Sequence, residues 1–354
     1  SDDTNGDRSV IAGAFAGMNA PSDVAVDEFN NIYVSNTGNN NIVKITYPSL
    51  TISIIASGLP INNPRQIQYN LVNNILYVAN YGQSGSSNPV SISSISNGVV
   101  SNFYTHPNYY FYGLAIDIFG NVYYNAGANN VDYVDTQVFF GKAYNTYTGS
   151  NAAYYYTAGT GFKYVIHPTT SVALNYVQNW LYTSEYKAPW PDQAPYDPSY
   201  NSYPYGLIWS ISLTDPSYVP VLFYPINPST DPSMNNPTSI AFDSAYNLYV
   251  GNSIDSKILV IDSSANGTYL NITSGVTTYG PTGLVFDNTS HLYFADYLSN
   301  TICKLTFTTP TTATGVYIDI SGAVINKPTA LAIDNANNVL YILNYGLNNI
   351  VSVD

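Results

Sequence analysis

In this chain of 354 residues only 9% are Asp, Glu, Lys or Arg, and 9 basic against 22 acidic residues leave a net charge of −13. Such a chain lacks the clustered Lys and Arg that phosphate backbones demand, which argues against nucleic acid as a partner. A single cysteine rules out an intrachain disulfide, and no run of about 20 apolar residues is present to span a membrane.

The chain starts with "SDDTNGDR", which has no apolar core and so does not read as a signal peptide. Residues 1–8 are read as a tail or linker, the remainder of a cleaved terminus or of an expression tag, and residues 9–354 as one domain. After the short apolar run "SVIAGAF" (Ser9 to Phe15), one phrase recurs seven times, beginning at Pro21, Pro64, Phe111, Thr169, Pro237, Pro281 and Pro328. A copy such as "PTSIAFDSAYNLYVGN" has an alternating apolar run, an Asp, a turn and a second run with Tyr at its centre. Turns rich in Asn and Gly then lead to a third run, and most copies add a fourth, as in "TISIIAS" from Thr51 and "TYLNITS" from Thr268. No stretch keeps a helical period, so the predicted class is all-β. Four strands at a step near about 45 residues are the signature of a propeller blade.

Two copies carry extra sequence. In the third, "VFFGKAYNTYTGSNAAYYYTAG" (Val138 to Gly159) reads as an insertion between third and fourth strands, a contact surface for a neighbouring chain or an elaborated edge. In the fourth, Ser184 to Gly206 joins second to third strand and is rich in Tyr, Trp and Pro, the composition of a stiff recognition loop or of a packed lid. Tyr186, Trp190, Tyr196, Tyr200, Tyr203 and Tyr205 are its candidate contact residues for a glycan or a protein. Cys303, within "TICKLTF", is expected to pack as a small hydrophobe. The seventh copy ends at Asp354 after three strands. The predicted fold is therefore a seven-bladed β-propeller of four-stranded blades, whose ring is closed when the N-terminal strand completes the C-terminal blade and removes two open edges.

The phrase "PxxxAxDxxxNLYVxN" resembles the NHL repeat, and "LYVANYG" and "LYILNYGLNNIVSVD" resemble the YVTN repeats of surface-layer-associated propellers. The resemblance implies a propeller from Ser9 to Asp354. It leaves function open, because such propellers serve as binding platforms, docking discs, lactonases and lyases.

Asp27, Asp117, Asp243, Asp287 and Asp334 close the first strands, where a carboxylate bonds turn amides, and Tyr33, Tyr77, Tyr249, Tyr293 and Tyr341 are placed between blades. A polar ring follows the second strands: Asn36, Asn80, Asn125, Asn252, Asp296 and Asn344, with Glu185 in the fourth copy. Its oxygens suit Ca²⁺, with Glu185, Asn252 and Asp296 as candidate ligands, but repetition of the pattern in every blade favours Asx turns that need no metal. Near the starts of the first strands Asp23, Arg65 and Gln66 interrupt a small neutral set of Thr238, Thr282 and Thr329, so Asp23 and Arg65 are candidate ligand-binding residues expected to pair across a channel. Asn266, Asn271 and Asn288 head glycosylation sequons. His106, His167 and His291 share no common context, and no HExxH, GxSxG or Cys-His arrangement occurs. The favoured function is a non-catalytic extracellular or particle-surface propeller, a binding scaffold for a glycan or protein. The alternative is a Ca²⁺-dependent propeller hydrolase or lyase, lactonase-like, with its site at the channel mouth.

Overall fold

The structure, a computed structural model, describes residues 8–12, 17–82, 90–106, 109–116, 122–128, 138–143, 154–155, 169–175, 177–185, 206–212, 220–225, 230–320, 323–335 and 337–353. Its described strands form six four-stranded sheets and one five-stranded sheet. The chain is an all-β propeller.

The first copy shows why the repeat folds as it does. Pro21–Val26, Ile32–Asn36, Asn41–Thr46 and Thr51–Ser57 pair antiparallel in sequence order. The second strands IYVSN, LYVGN, LYFAD and VLYILN are buried along their whole length, because each sheet has a neighbour on both faces. The cores accordingly lie between sheets. Val24, Val34 and Val43 of the first copy pack with Tyr341, Leu343 and Ile350 of the seventh, and Tyr249 and Val260 of the fifth pack with Leu284 and Phe294 of the sixth. Tyr33, Tyr77, Tyr249, Tyr293 and Tyr341 are all buried, as expected. Cys303 is fully buried, and that burial pushes its thiol up to about 12.

In every copy the pairing of first with second strand slips just after its first residue, as between Pro21 and Asp23, Pro64 and Gln66, and Pro328 and Ala330. This recurring bulge re-aims the start of each first strand. The first strands are the innermost, and each lies against the first strands of the copies before and after it. In the C-terminal sheet, Arg8–Ala12 pairs antiparallel with Asn349–Val353, Arg8 facing Val353 and Val10 facing Val351.

Two assignments from sequence are corrected. The segment from Val138 is not an insertion between strands: Val138–Ala143 is itself the third strand, pairing with Val122–Ala128, and Tyr154–Tyr155 is the fourth. "TYLNITS" is not one strand either. Gly267–Tyr269 pairs with Lys257–Ile261 of its own copy, and Asn271–Ile272 runs parallel to Thr312–Tyr317 of the sixth copy, giving the five-stranded sheet. The crossing follows from packing, since Leu270 and Ile272 bury against Ile258, Leu292 and Ala313 in the core between those two copies.

Candidate functional site

The polar residues repeated from copy to copy are largely consumed by the fold. Asp27 Oδ1 accepts the N–H groups of Phe29 (2.9 Å) and Asn31 (2.8 Å), while Oδ2 accepts the Asn31 amide (2.8 Å) and the Tyr33 hydroxyl (2.9 Å). Asp243 repeats this with Ala245 and Asn247. In the sixth copy His291 takes the place of the Asn, its Nδ1 2.9 Å from Asp287 Oδ2. Burial raises the Asp287 carboxyl, but the bonds from His291 and Thr289 outweigh it and hold the group below its ordinary range. These are turn-closing Asx boxes.

In the five copies where its side chain is described, the polar ring at the ends of the second strands ties down the segment entering the sheet. Asn36 Oδ1 accepts Asn19 N–H (2.6 Å), Asn80 Oδ1 accepts Asn62 N–H (3.1 Å) and Asn344 Oδ1 accepts Asn326 N–H (2.6 Å). Asp296 accepts three backbone N–H groups, from Tyr279 (2.7 Å), Gly280 (3.0 Å) and Ser299 (3.1 Å). Asn252 turns its amide to Ser233 O (3.1 Å) and Asp255 Oδ2 (2.8 Å). Glu185 ends the strand Trp180–Glu185, and its side chain lies outside the described residues. Both oxygens of Asp296 accept backbone N–H groups, whereas Asn252 Oδ1 is buried without a hydrogen-bond partner, and among the described residues no three His, Cys, Asp or Glu side chains come together.

The channel is different. A cavity of about 400 Å³ is lined by Ser22, Asp23, Arg65, Gln66, Gln68, Ser171, Thr238, Ser239, Thr282 and Thr329, with Val24, Ile240, Gly283, Leu284, Ala330 and Leu331. The bulges bring these side chains together from the innermost strands, and Asp23, Arg65 and Gln66 do meet there. Asp23 and Arg65 are its only charged lining residues among those described. The expected ion pair between them is not formed. Arg65 is exposed and its guanidinium lies over the Tyr81 ring, 5.2 Å from the centroid, while Asp23 Oδ2 accepts Ile67 N–H at 3.0 Å. Stacking leaves the guanidinium solvated, whereas reaching Asp23 would bury it in the channel wall. Burial pushes the Asp23 carboxyl up to about 7, against the opposing bonds from the Ile67 and Val24 N–H groups.

Asp23 belongs to a ladder that the sequence did not reveal. The third residue of one copy accepts the fourth residue's N–H in the next: Asp23 from Ile67, Gln66 from Leu114, Ser171 from Ile240 (3.3 Å) and Ser239 from Leu284 (3.2 Å). The second residue adds a hydroxyl bond to the following copy, Ser22 to Pro64 O (3.2 Å), Thr238 to Pro281 O (3.0 Å) and Thr282 to Pro328 O (3.1 Å). A neutral acceptor is enough for the ladder. An acid at Asp23 exceeds what the ladder requires, and a carboxyl raised by burial in a polar cavity makes Asp23 the candidate functional group of the channel.

The candidate recognition residues Tyr186, Trp190, Tyr196, Tyr200, Tyr203 and Tyr205 lie outside the described residues. Asn266, Asn271 and Asn288 are exposed, but the Asn266 amide already donates to Asp262 Oδ2 at 2.9 Å.

No protein-family model and no curated protein matches the sequence. Solved structures do match. A catalytically inactive virginiamycin B lyase from Staphylococcus aureus with quinupristin aligns over 99% of this chain and 97% of its own at 16% identity, TM-score 0.66. A streptogramin B lyase aligns over 95% of this chain and 93% of its own at 15% identity, TM-score 0.65. A gluconolactonase from Xanthomonas campestris aligns over 95% of this chain and 86% of its own at 9% identity, TM-score 0.52. At these identities the likeness is one of fold.

Proposed function

We propose that this chain is a propeller enzyme of the hydrolase or lyase class that takes a small polar ligand in its channel, with Asp23 exchanging a proton with it. The observation that carries this is Asp23 itself, pushed up to about 7 by burial in a cavity whose polar lining is otherwise hydroxyls, amides and one guanidinium. On a lactone, the Asp23 carboxylate would take a proton from water as its oxygen bonds to the carbonyl carbon, then return that proton to the ring oxygen as the C–O bond breaks. Arg65 would face the charge that develops on the carbonyl oxygen. The matching propellers named as lyases and as a gluconolactonase favour this reading over a pure scaffold.

The reading extends to the whole disc. We infer that the seven sheets are seven blades of a closed ring, supported by the Arg8–Ala12 pairing with the last strand and by contact of the strand Pro21–Val26 with both Pro64–Asn70 and Pro328–Asp334. The repeat is assigned to the NHL and YVTN type on its residues alone. An extracellular or surface location, use of the three sequons, and a scaffold role for the Ser184 to Gly206 loop remain proposals resting on composition; no described helix is long and apolar enough to cross a membrane.

The test is turnover of a lactone panel including gluconolactone, and of quinupristin, by the purified chain and by Asp23→Asn and Arg65→Gln. Asp23→Asn is expected to lose roughly 100-fold or more. If the unaltered chain opens none of them, the enzyme reading falls. The scaffold reading then takes precedence, and loss of glycan-array or partner binding on Trp190→Ala or Tyr200→Ala becomes its test.

A further inference from the structure

The channel cavity is uneven in depth. In the first, fifth, sixth and seventh copies its lining stops at the fourth residue of the innermost strand, at Val24, Ile240, Leu284 and Leu331. In the second copy it reaches the fifth residue, Gln68. That position stands opposite the Tyr of the second strand in every copy, Gln68 opposite Tyr77 as Ala25 is opposite Tyr33 and Ala332 opposite Tyr341. Elsewhere it is Ala or Val: Ala25, Ala115, Ala173, Ala241, Val285 and Ala332. None of these six lines the cavity, so it is the longer side chain of Gln68 that reaches it.

The described fold makes no use of that side chain. Gln66, two residues earlier on the same face of the strand, accepts Leu114 N–H of the third copy and so belongs to the ladder. Gln68 lies about 7 Å further along, away from the exposed Arg65. It is half-buried, and its amide makes no hydrogen bond among the described residues. The residue before it, Ile67, is the one whose N–H Asp23 Oδ2 accepts at 3.0 Å, so Asp23 and Gln68 flank the same stretch of strand. Ala satisfies the sheet at this place in five copies, and a Gln held there loses side-chain entropy with no bond to offset it. A primary amide presents N–H donors and a carbonyl acceptor side by side. A carboxylate could use only the donors and an ammonium only the acceptor, whereas a neutral hydroxyl or carboxamide uses both.

We infer that Gln68 is a specificity-determining residue of the channel, hydrogen-bonding a neutral hydroxyl or carboxamide group of the ligand. This rests on the channel being the ligand site. It leaves the reacting group of the ligand at Asp23 and assigns the neutral group to the end of the cavity remote from Arg65, on the side of the third copy.

The experiment is an NMR titration of the full chain that reads the side-chain NH2 of Gln68, with glucitol as the hydroxyl probe, N-methylacetamide as the carboxamide probe and acetate as the charged control. At least one neutral probe is expected to move that resonance to saturation, and acetate is not. A response to glucitol alone assigns the hydroxyl, and a response to N-methylacetamide alone assigns the carboxamide. Gln68→Met keeps the length of the side chain without its donors and acceptor. It is expected to weaken the responding probe about fivefold, the effect of one neutral hydrogen bond, at an unchanged melting temperature, followed at the Gln66 and Ile67 resonances. Gln68→Ala, which restores the residue of five other copies, should weaken it alike. Unchanged affinity in either variant overturns the inference, as does an acetate response at Gln68 equal to that of the neutral probes. A probe response confined to other channel residues defeats the inference and leaves the channel reading standing, and so does turnover of a lactone at the same KM in Gln68→Met. Absence of both probe response and turnover defeats the two readings together.

Discussion

At the third position of the repeat, Gln66, Ser171 and Ser239 accept the next copy's N–H as neutral groups, and Asp23 accepts it as an acid. The difference has a sign that can be measured. An unfolded Asp titrates near 3.8, and burial moves Asp23 to about 7, so between those values the folded state holds the proton more tightly. Stability from this group therefore falls as pH rises from 3.8 through about 7 and is level above it. One pKa unit corresponds to about 1.4 kcal/mol, so the shift sets a ceiling of about 4 kcal/mol, which solvent in the channel reduces. Asp23→Asn keeps an amide oxygen for Ile67 N–H and removes the charge. It is expected to be more stable than the unaltered chain at pH 8 and nearly equal to it near pH 4, by denaturant titration at the two pH values. Equal pH slopes for the two proteins would show that Asp23 titrates normally. Asp23, Arg65 and Gln66 were legible in the sequence because they interrupt a run of Thr. Gln68 was not, since only the structure shows the cavity reaching the fifth position of that copy alone among those described.

At the scale of elements, the turn after the second strand of the first, sixth and seventh copies does more than reverse the chain. Asn40, Asn300 and Asn348 all take positive φ, at 51°, 59° and 52°. From there their side chains accept the N–H of Asn63, Lys327 and Ala20, each at 2.7 Å, at the entry to the next copy. Asn is suited to both tasks, because it tolerates the left-handed region and carries an acceptor on a short arm. The Asn-rich turns hid this: "NTGNNN" shows four Asn, and nothing in their order says which one crosses to the next copy. The Asp boxes were easier to read, since the Asp recurs six or seven positions before the Tyr of the second strand, and in the first and fifth copies it accepts that Tyr hydroxyl. The third strand at Val138–Ala143 was missed because its aromatic run differs from the "NIVKI" and "SKILV" of other copies. Substituting Asn300→Gly keeps the left-handed turn and deletes the latch, leaving Lys327 N–H to water. It should cost about 1 kcal/mol, measured as a lower urea midpoint at unchanged slope. A midpoint equal to that of the unaltered chain would show the latch to be incidental.

For the whole molecule the question is what joins the seventh copy to the first. Three independent contacts bear on it. Arg8–Ala12 covers the edge of Asn349–Val353, Asn348 Oδ1 accepts Ala20 N–H across 328 positions of sequence, and Val24, Val34 and Val43 share a core with Tyr341, Leu343 and Ile350. A ring held at one point by a strand from the other end of the chain gains by loop closure what a disulfide supplies elsewhere, and the only cysteine here, Cys303, is buried and committed to packing. Removing residues 1–16 deletes the strand and leaves the other two contacts. The last strand then has a bare edge, which invites pairing between molecules. A loss of a few kcal/mol would lower the melting temperature by roughly 3–5 °C in a domain of this size, with light scattering rising in the same scan. Asn348→Gly in the truncated chain should lower it further, because the latch then carries a larger share of the junction. If truncation leaves the melting curve and the scattering unchanged, Arg8–Ala12 does not close the disc, and the shared core and the Asn348 latch hold the junction without it.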